Sequence, residues 1–161
     1  MSGSLHQSAQ EILELLRSSQ STLATAESIT GGLISGAMTE IPGSSDVFLG
    51  GVVAYSVAAK SSLLRVDHEL ITKHGVVSAE VASAMAHGAL DAFGSSWAIA
   101  TTGVAGPGAS EGVAAGTVWI AVAHRGGAPE SELLSLSGDR QEVRGETIAR
   151  AFALFTRILR G

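Results

Sequence analysis

The sequence predicts an α/β fold, a three-layer α/β/α sandwich around a mixed, mostly parallel sheet. Two observations predict it. Amphipathic helical stretches alternate with short apolar runs along most of the chain, an order typical of a sheet that helices cover on both faces. Late in the chain, only the turn at 125–129 separates two strand-like runs, which predicts a hairpin and therefore an antiparallel part of the sheet.

The first helix is predicted from a stripe of Leu5, Ala9, Ile12 and Leu16, which recur at helical spacing. In the remainder of the chain, apolar runs predict the strands, and stretches that begin with a capping residue predict the helices. They give, in order, a strand at 22–26, a helix at 31–40 ended by Pro42, a strand at 47–55, a helix at 57–64, a short polar helix or loop at 67–73, a helix at 79–93, strands at 97–102, 117–124 and 130–136, and a last helix from 139.

Composition narrows the kind of protein. The 161 residues predict one domain, 1–161, which is long enough to bury a core. A net charge of −5 gives no bulk attraction to nucleic acid or to an anionic membrane, so we expect neither as a partner. The absence of cysteine excludes disulfides, zinc–thiolate sites and a cysteine nucleophile. The first residues do not form a basic and then apolar leader, so we expect a cytoplasmic protein.

The stretch TAESITGG at residues 25–32 carries the first chemical signal. Ser28 stands where the first strand ends, and the glycines after it allow a tight turn and close approach to a ligand. A helix that follows would direct unpaired N–H groups at this turn. Ser28 is therefore a candidate nucleophile with Thr30, Gly31 and Gly32 as its polar cradle. A simple helix cap is the commoner explanation for this segment alone.

A serine hydroxyl needs a base to become a nucleophile. None of the five histidines lies in a distinctive motif, but a lysine that burial keeps neutral can replace histidine. Lys60, one turn into a helix, and Tyr55, at the end of the preceding strand, are the candidates. The alternatives are a solvated lysine and a core aromatic residue.

Two further features suggest anion binding. A glycine-rich loop at 103–108 follows a strand, although it matches neither the Walker A motif nor the dinucleotide fingerprint. Arg140 and Arg144 share one face of the last helix. The alternatives are a surface turn and a solvated helix face. We expect no metal site, because the acidic residues and histidines form no recognisable ligand set.

Taken together, these stretches resemble one family, the CinA C-terminal domain, whose members include bacterial nicotinamide mononucleotide amidases (PncC). The matching stretches occur in the family's order and cover nearly the whole chain. They are TAESITGG at 25–32, PGSS at 42–45, GVVAYS at 51–56 with Lys60, HGVVS at 74–78, TGVAGPG at 102–108, GTVWIA at 116–121, and GDR at 138–140 with Val143 and Arg144.

The resemblance implies a three-layer α/β/α domain that hydrolyses the carboxamide of nicotinamide mononucleotide to the carboxylate and ammonia, without a cofactor. It implies Ser28 as nucleophile, assisted by Tyr55 and Lys60. One stretch departs from the family pattern. The family often has Lys-Pro-Val-Gly-Thr after its glycine-rich loop, whereas this chain has VAAGT at 113–117.

We therefore expect Ser28 to attack the amide carbon while a neutral Lys60, oriented by Tyr55, moves the proton. The substrate would be a small nucleotide. The expected substrate-binding residues are Glu27, Thr30, Gly31, Gly32, Thr102, Gly103, Gly106, Gly108 and Arg140, with Glu27 orienting either the lysine or the ribose.

Two other functions stay open. The altered loop motivates a catalytically silent nucleotide-binding module, and the family's competence association motivates a structural partner in DNA uptake or repair. We also expect a homo-oligomer, for which the Ala- and Gly-rich helix at 79–90 offers a surface.

Overall fold

The computed structural model describes residues 3–161, so Met1 and Ser2 of the predicted domain lie outside the described residues. A five-stranded sheet forms its middle layer. Its strands are β1 (Leu23–Glu27), β2 (Phe48–Val53), β3 (Trp97–Gly103), β4 (Thr117–His124) and β5 (Glu130–Ser135).

The sheet order is β2-β1-β3-β4-β5. β1 pairs in parallel with β2 and with β3, whereas β4 is antiparallel to both β3 and β5. It follows that β4 alone runs against the other four strands, and the mixed, mostly parallel sheet predicted from the sequence is confirmed. The carboxyl ends of β1, β2 and β3 therefore meet at one edge, where α/β proteins place their ligand sites.

Helices cover both faces of the sheet. They are α1 (Gly3–Ser18), α2 (Leu33–Thr39), α3 (Val57–Leu64), α4 (His68–His74), α5 (Ala79–Phe93) and α6 (Arg140–Arg160). Buried residues of α1, α2 and α6 form one core with the sheet, and those of α3, α4 and α5 form the other. None of the described helices is both long enough and apolar enough to cross a bilayer.

The two faces of the sheet differ in side-chain size. Strand residues alternate between the faces, so one face carries Ile99 and Ile120 while the other carries alanines such as Ala98, Ala100 and Ala121. Small side chains let the helices of the alanine face pack closely. At Gly88 of α5, an added Cβ would collide with the main-chain carbonyl oxygen of Leu64, the last residue of α3.

Most predicted elements are confirmed within one or two residues, and the helix caps at Ser56 and Ser78 are confirmed by their side-chain hydrogen bonds. The main difference lies after β1. The predicted helix at 31–40 begins only at Leu33, because Gly31 and Gly32 have left-handed φ angles of 58° and 96°. Both glycines therefore belong to the turn that follows Ser28.

Two helical glycines test the close contact of α3 with α5. Gly88→Ala should lower the free energy of unfolding by about 2 kcal/mol, because the new methyl group has no space against Leu64. Gly145→Ala in α6 is the matched control, since a Cβ there meets nothing within 4 Å. It should raise stability by about 0.5–1 kcal/mol through helix propensity. Chemical denaturation measures both, and equal changes would contradict the contact.

Candidate active site

Ser28 directly follows β1, the strand that pairs with a parallel neighbour on each side. Its backbone N–H donates to the Thr101 carbonyl of β3 at 3.0 Å, and the Ala54 N–H donates to the Glu27 carbonyl at 2.9 Å. These bonds extend the sheet pairing on both sides of the serine. The residue is only 7% exposed, so its hydroxyl is held at the floor of the site.

Lys60 lies one turn into α3 and is 1% exposed. Its Nζ is 2.9 Å from the Ser28 Oγ and 2.9 Å from the Ala54 carbonyl oxygen, to which it donates a hydrogen bond. Burial lowers the pKa of this amine from its ordinary value of 10.5 to about 8, because the surroundings cannot solvate the charge. A substantial fraction of the amine is therefore neutral at mildly alkaline pH.

The Ala54 carbonyl also orients the neutral amine. One N–H of a neutral Lys60 donates to this carbonyl, and the nitrogen lone pair can then accept the proton of the Ser28 hydroxyl at the observed 2.9 Å. A serine with a neutral lysine as its base is a known form of activated nucleophile. The predicted serine–lysine constellation is thus brought together, with a separation suited to proton transfer.

A cavity of about 560 Å³ opens above this pair, a volume suited to a small-molecule ligand. Its described wall comes from the ends of β1, β2 and β3, from α3, from the end of α4 and the segment after it, from the glycine-rich loop and the residues beyond it, and from the first residue of α6. The residues are Ser28, Ile29, Tyr55, Val57, Lys60, His74, Gly75, Val76, Val77, Thr102, Gly103, Val104, Ala105, Gly106, Gly108, Ser110, Glu111, Val113 and Arg140.

Tyr55 and Arg140 join opposite sides of the cavity mouth. The Arg140 guanidinium donates to the Tyr55 hydroxyl and to the Gly106 carbonyl, each at 3.0 Å. Tyr55 is 63% exposed and bonds to Arg140, so it does not take the predicted part of orienting Lys60, which falls to the Ala54 carbonyl.

The predicted residues of the glycine-rich region do line the cavity. Thr102, Gly103, Gly106 and Gly108 all contribute to its wall. The Thr102 hydroxyl donates to the Val76 carbonyl at 2.9 Å, which ties this wall to the segment that precedes α5. The altered stretch at 113–117 also reaches the cavity, because Val113 lines it and takes the place of the lysine in the family pattern.

Glu27 has a different place from the one expected. Its fully buried carboxylate accepts hydrogen bonds from the backbone N–H groups of Gly32, Ile34 and Ser35 at 3.1, 3.0 and 2.8 Å. These are the donors that the beginning of α2 leaves unpaired. Glu27 therefore caps α2 from the neighbouring strand and does not line the cavity, where it was expected to orient the lysine or the ribose.

The predicted cradle at Thr30, Gly31 and Gly32 also lies outside the cavity wall. The Thr30 hydroxyl bonds to that of Thr101 at 2.8 Å, and the Gly32 N–H is already occupied by Glu27. Arg144 donates to the Ile29 and Thr30 carbonyls at 3.0 and 3.1 Å and holds the turn from outside. Among residues 3–161, no acceptor bonds to the Ile29 N–H, and Ile29 lines the cavity.

Several cavity residues were not among the predicted site residues. His74, Val76 and Val77 come from the HGVVS stretch, whose resemblance to the family was the one signal that pointed to it. Glu111 and Ser110 come from the loop beyond the glycines, and no motif marked them. Within the described part of the chain, no group of three or more His, Asp or Glu side chains could hold a metal ion.

Comparison with known proteins places the chain among related sequences. The model of the CinA C-terminal domain family matches residues 5–159. A CinA-like protein of Synechococcus sp. (strain RCC307) is 48% identical over 150 residues, which are 91% of this chain and 36% of that protein. A putative competence-damage inducible protein of Lacticaseibacillus casei is 39% identical over 94% of this chain and 37% of its own length. The chain thus spans about a third of these curated relatives.

Solved structures give the same grouping. The competence/damage inducible protein CihA from Agrobacterium tumefaciens superposes with a TM-score of 0.94 at 37% identity, over 100% of this chain and 98% of that one. A CinA superfamily protein from Klebsiella pneumoniae superposes with a TM-score of 0.93 at 33% identity, over 96% and 97% of the two chains.

The cap that Glu27 provides can be tested by Glu27→Gln. The substitution replaces one acceptor oxygen with an NH₂ group that faces backbone donors, so the free energy of unfolding should fall by about 2–4 kcal/mol. Glu40→Gln removes the same charge at an exposed position and should change stability by less than about 0.5 kcal/mol. Denaturant titration measures both, and a loss below 1 kcal/mol for Glu27→Gln would contradict the cap.

The buried amine should make stability depend on pH. The folded protein releases the Lys60 proton near pH 8, whereas the unfolded chain keeps it until about pH 10.5, so unfolding between these values takes up a proton. The wild type should therefore gain stability as the pH rises from 8 to 10. At pH 7 the cost of the buried charge, about 3 kcal/mol, is fully present. Lys60→Met removes this cost but leaves the Ala54 carbonyl without its donor, so the variant should be more stable than wild type by about 2 kcal/mol.

The control is Lys73→Met, because Lys73 is the other lysine of the chain and is exposed. The stability difference between Lys60→Met and wild type should shrink from pH 7 to pH 10, whereas the difference for Lys73→Met should stay constant. Thermal unfolding at several pH values measures both. If the stability difference between Lys60→Met and wild type does not change with pH, burial does not lower the pKa of Lys60.

Proposed function

The chain belongs to the CinA C-terminal domain family, and from its buried serine–lysine pair we propose that it is an amidohydrolase. The proposed substrate is nicotinamide mononucleotide, whose carboxamide is converted to the carboxylate of nicotinate mononucleotide with release of ammonia. The observation that carries the proposal is the 2.9 Å separation of the Lys60 Nζ from the Ser28 Oγ at the floor of a ligand-sized cavity.

The reaction would proceed through an acyl-enzyme. Neutral Lys60 takes the hydroxyl proton while the Ser28 oxygen forms a bond to the amide carbon, and a tetrahedral intermediate results. Lys60 then returns the proton to the amide nitrogen, the carbon–nitrogen bond breaks and ammonia leaves. Water attacks the remaining ester with Lys60 again as the base, and the Ser28 hydroxyl is restored as the acid product leaves.

The negative charge of the tetrahedral oxygen needs donors other than those of the predicted cradle. The Ile29 N–H is suited to the role, because it belongs to the residue after the nucleophile, lines the cavity and has no acceptor among the described residues. Enzymes with a nucleophile at a strand-to-helix turn use this same backbone donor. A well-placed oxyanion donor contributes roughly 3–4 kcal/mol to transition-state stabilisation.

The rest of the substrate would extend from this floor to the cavity mouth. Arg140 stands there with two of its N–H groups on Gly106 and Tyr55, and its remaining donors are available to a phosphate oxygen. Backbone N–H groups of the loop from Gly103 to Gly108 add further donors beside it. In this arrangement the phosphate stays near the mouth and the carboxamide reaches Ser28.

The proposal is tested by measuring ammonia released from nicotinamide mononucleotide. Wild type should release ammonia in step with nicotinate mononucleotide, and Ser28→Ala should lower kcat by about 10³-fold or more, because the nucleophile is lost. Lys60→Met should have a loss of similar size. Ser62→Ala, an exposed serine on the same helix as Lys60, is the matched control and should keep wild-type kinetics.

The pH dependence of the rate tests the proposed role of Lys60 as the base. Below pH 8 the rate of wild type should rise about tenfold per pH unit with the neutral fraction of the amine, and it should level off above pH 8.

Equal rates for wild type and Ser28→Ala would reject Ser28 as the nucleophile. Binding of the mononucleotide by calorimetry without any release of ammonia would reject the amidase and favour a silent nucleotide-binding module.

A further inference from the structure

The segment at 110–113, just beyond the glycine-rich loop, forms a tight two-residue hairpin at the cavity. Ser110 and Val113 exchange backbone hydrogen bonds at 3.0 and 2.9 Å. The two residues between them, Glu111 and Gly112, have φ angles of 49° and 78°. Positive φ at both central positions is the mark of a type I′ turn, whose first central residue is usually Asn, Asp or Gly. Glutamate is an uncommon residue in this left-handed conformation.

The side chain that this turn presents is chemically distinct from the rest of the wall. Glu111 is the one carboxylate among the described residues that line the cavity. It is exposed, and within the described part of the chain its carboxylate takes part in no hydrogen bond or ion pair. A residue in a strained conformation at a binding site suggests that its side chain has a function there. The Glu111 carboxylate is free to accept hydrogen bonds from a ligand.

Charge and position limit which part of a nucleotide this carboxylate can meet. It would repel a phosphate, which the Arg140 guanidinium attracts. The reacting amide and its ring belong at the cavity floor beside Ser28, which is nearly buried, whereas Glu111 is exposed at the mouth. Between ring and phosphate, a mononucleotide carries the two ribose hydroxyls. A carboxylate with two acceptor oxygens is suited to a pair of hydroxyl donors, and nucleotide-binding folds use acidic residues in this way.

We propose that Glu111 is the specificity-determining residue of the cavity and that it binds the 2′,3′-diol of a ribonucleotide substrate. This inference rests on the proposed function, since it takes the substrate to be a mononucleotide with its amide at Ser28. It accounts for glutamate in a turn that shorter residues fit better. It also gives the loop beyond the glycines a role that the sequence motifs did not mark.

The test compares two ligands, nicotinamide mononucleotide and its analogue that lacks both ribose hydroxyls. Calorimetry in the Ser28→Ala background prevents turnover. With Glu111 present, the mononucleotide should bind about 30-fold more tightly than the dideoxy analogue, because two hydrogen bonds to a charged acceptor are lost in the analogue. Glu111→Asn should reduce the preference to within about threefold, since the shorter side chain does not reach the diol.

Glu111→Asn also separates recognition from folding. Asparagine fits the left-handed conformation better than glutamate, so this variant should unfold at the wild-type temperature or above it. Glu111→Gln keeps the length and one acceptor oxygen and should retain an intermediate preference. Glu14→Gln removes an equal charge from the exposed side of α1 and should leave the 30-fold preference unchanged.

The outcomes separate this inference from the amidase proposal. A preference that survives in Glu111→Asn, or one below threefold when Glu111 is present, overturns the role of Glu111 whether or not ammonia is released. If Glu111→Asn abolishes the preference and the wild type releases no ammonia, the role of Glu111 is supported and only the amidase proposal is overturned. If the protein neither binds nor hydrolyses the mononucleotide, both proposals fail.

Discussion

The burial of the Lys60 amine beside the Ser28 hydroxyl is the constraint on which the rest of the site depends. An amine that is 1% exposed would be costly to keep charged, and burial lowers its pKa to about 8. The same burial that opposes folding near neutral pH makes the amine able to accept a proton. The Ala54 carbonyl gives the amine one fixed hydrogen bond and directs its lone pair at the serine. Stability and reactivity are therefore coupled through one side chain.

The turn that carries Ser28 is held by interactions that leave the cavity free. Glu27 binds the backbone N–H groups at the beginning of α2 from the sheet side, and Arg144 binds the carbonyls of Ile29 and Thr30 from the helix side. The Gly32 and Ile34 donors and the Ile29 and Thr30 acceptors are thus bound by charged side chains, whereas the Ile29 N–H, which has no acceptor among the described residues, stays free to meet a ligand. A turn that is held from both sides in this way can keep its reacting atoms in position before a ligand arrives.

Sequence patterns predicted the architecture because each element carries a local signal. Helix α5 has a serine cap and a closing glycine, and β4 is an uninterrupted apolar run, so both were placed at their observed bounds. The pairing of Ser28 with Lys60 followed from the residue types that activate a nucleophile and from the family resemblance. Both arguments depend only on which residues are present, and that was enough to predict that Ser28 and Lys60 lie together.

The details that were predicted differently depend on distances between segments. A glutamate beside a candidate nucleophile has the appearance of a site residue, and only the position of α2 shows that its carboxylate caps that helix. Tyr55 is adjacent in sequence to the residue whose carbonyl orients Lys60, yet its hydroxyl bonds to Arg140, 85 residues away. The role of Glu111 depends on a turn conformation that the sequence does not mark, because glutamate is not a typical residue of a type I′ turn.

The contact between Gly88 and the Leu64 carbonyl has a consequence for how this protein can diverge. The contact sets how closely α3, the helix that carries Lys60, packs against α5, although α5 contributes nothing to the described cavity wall. A bulkier residue at position 88 would push α3 outward and lengthen the gap between amine and hydroxyl. Substitution at this position is therefore restricted by the chemistry itself, because the atom in the way belongs to the main chain and a smaller side chain on α3 would not remove it.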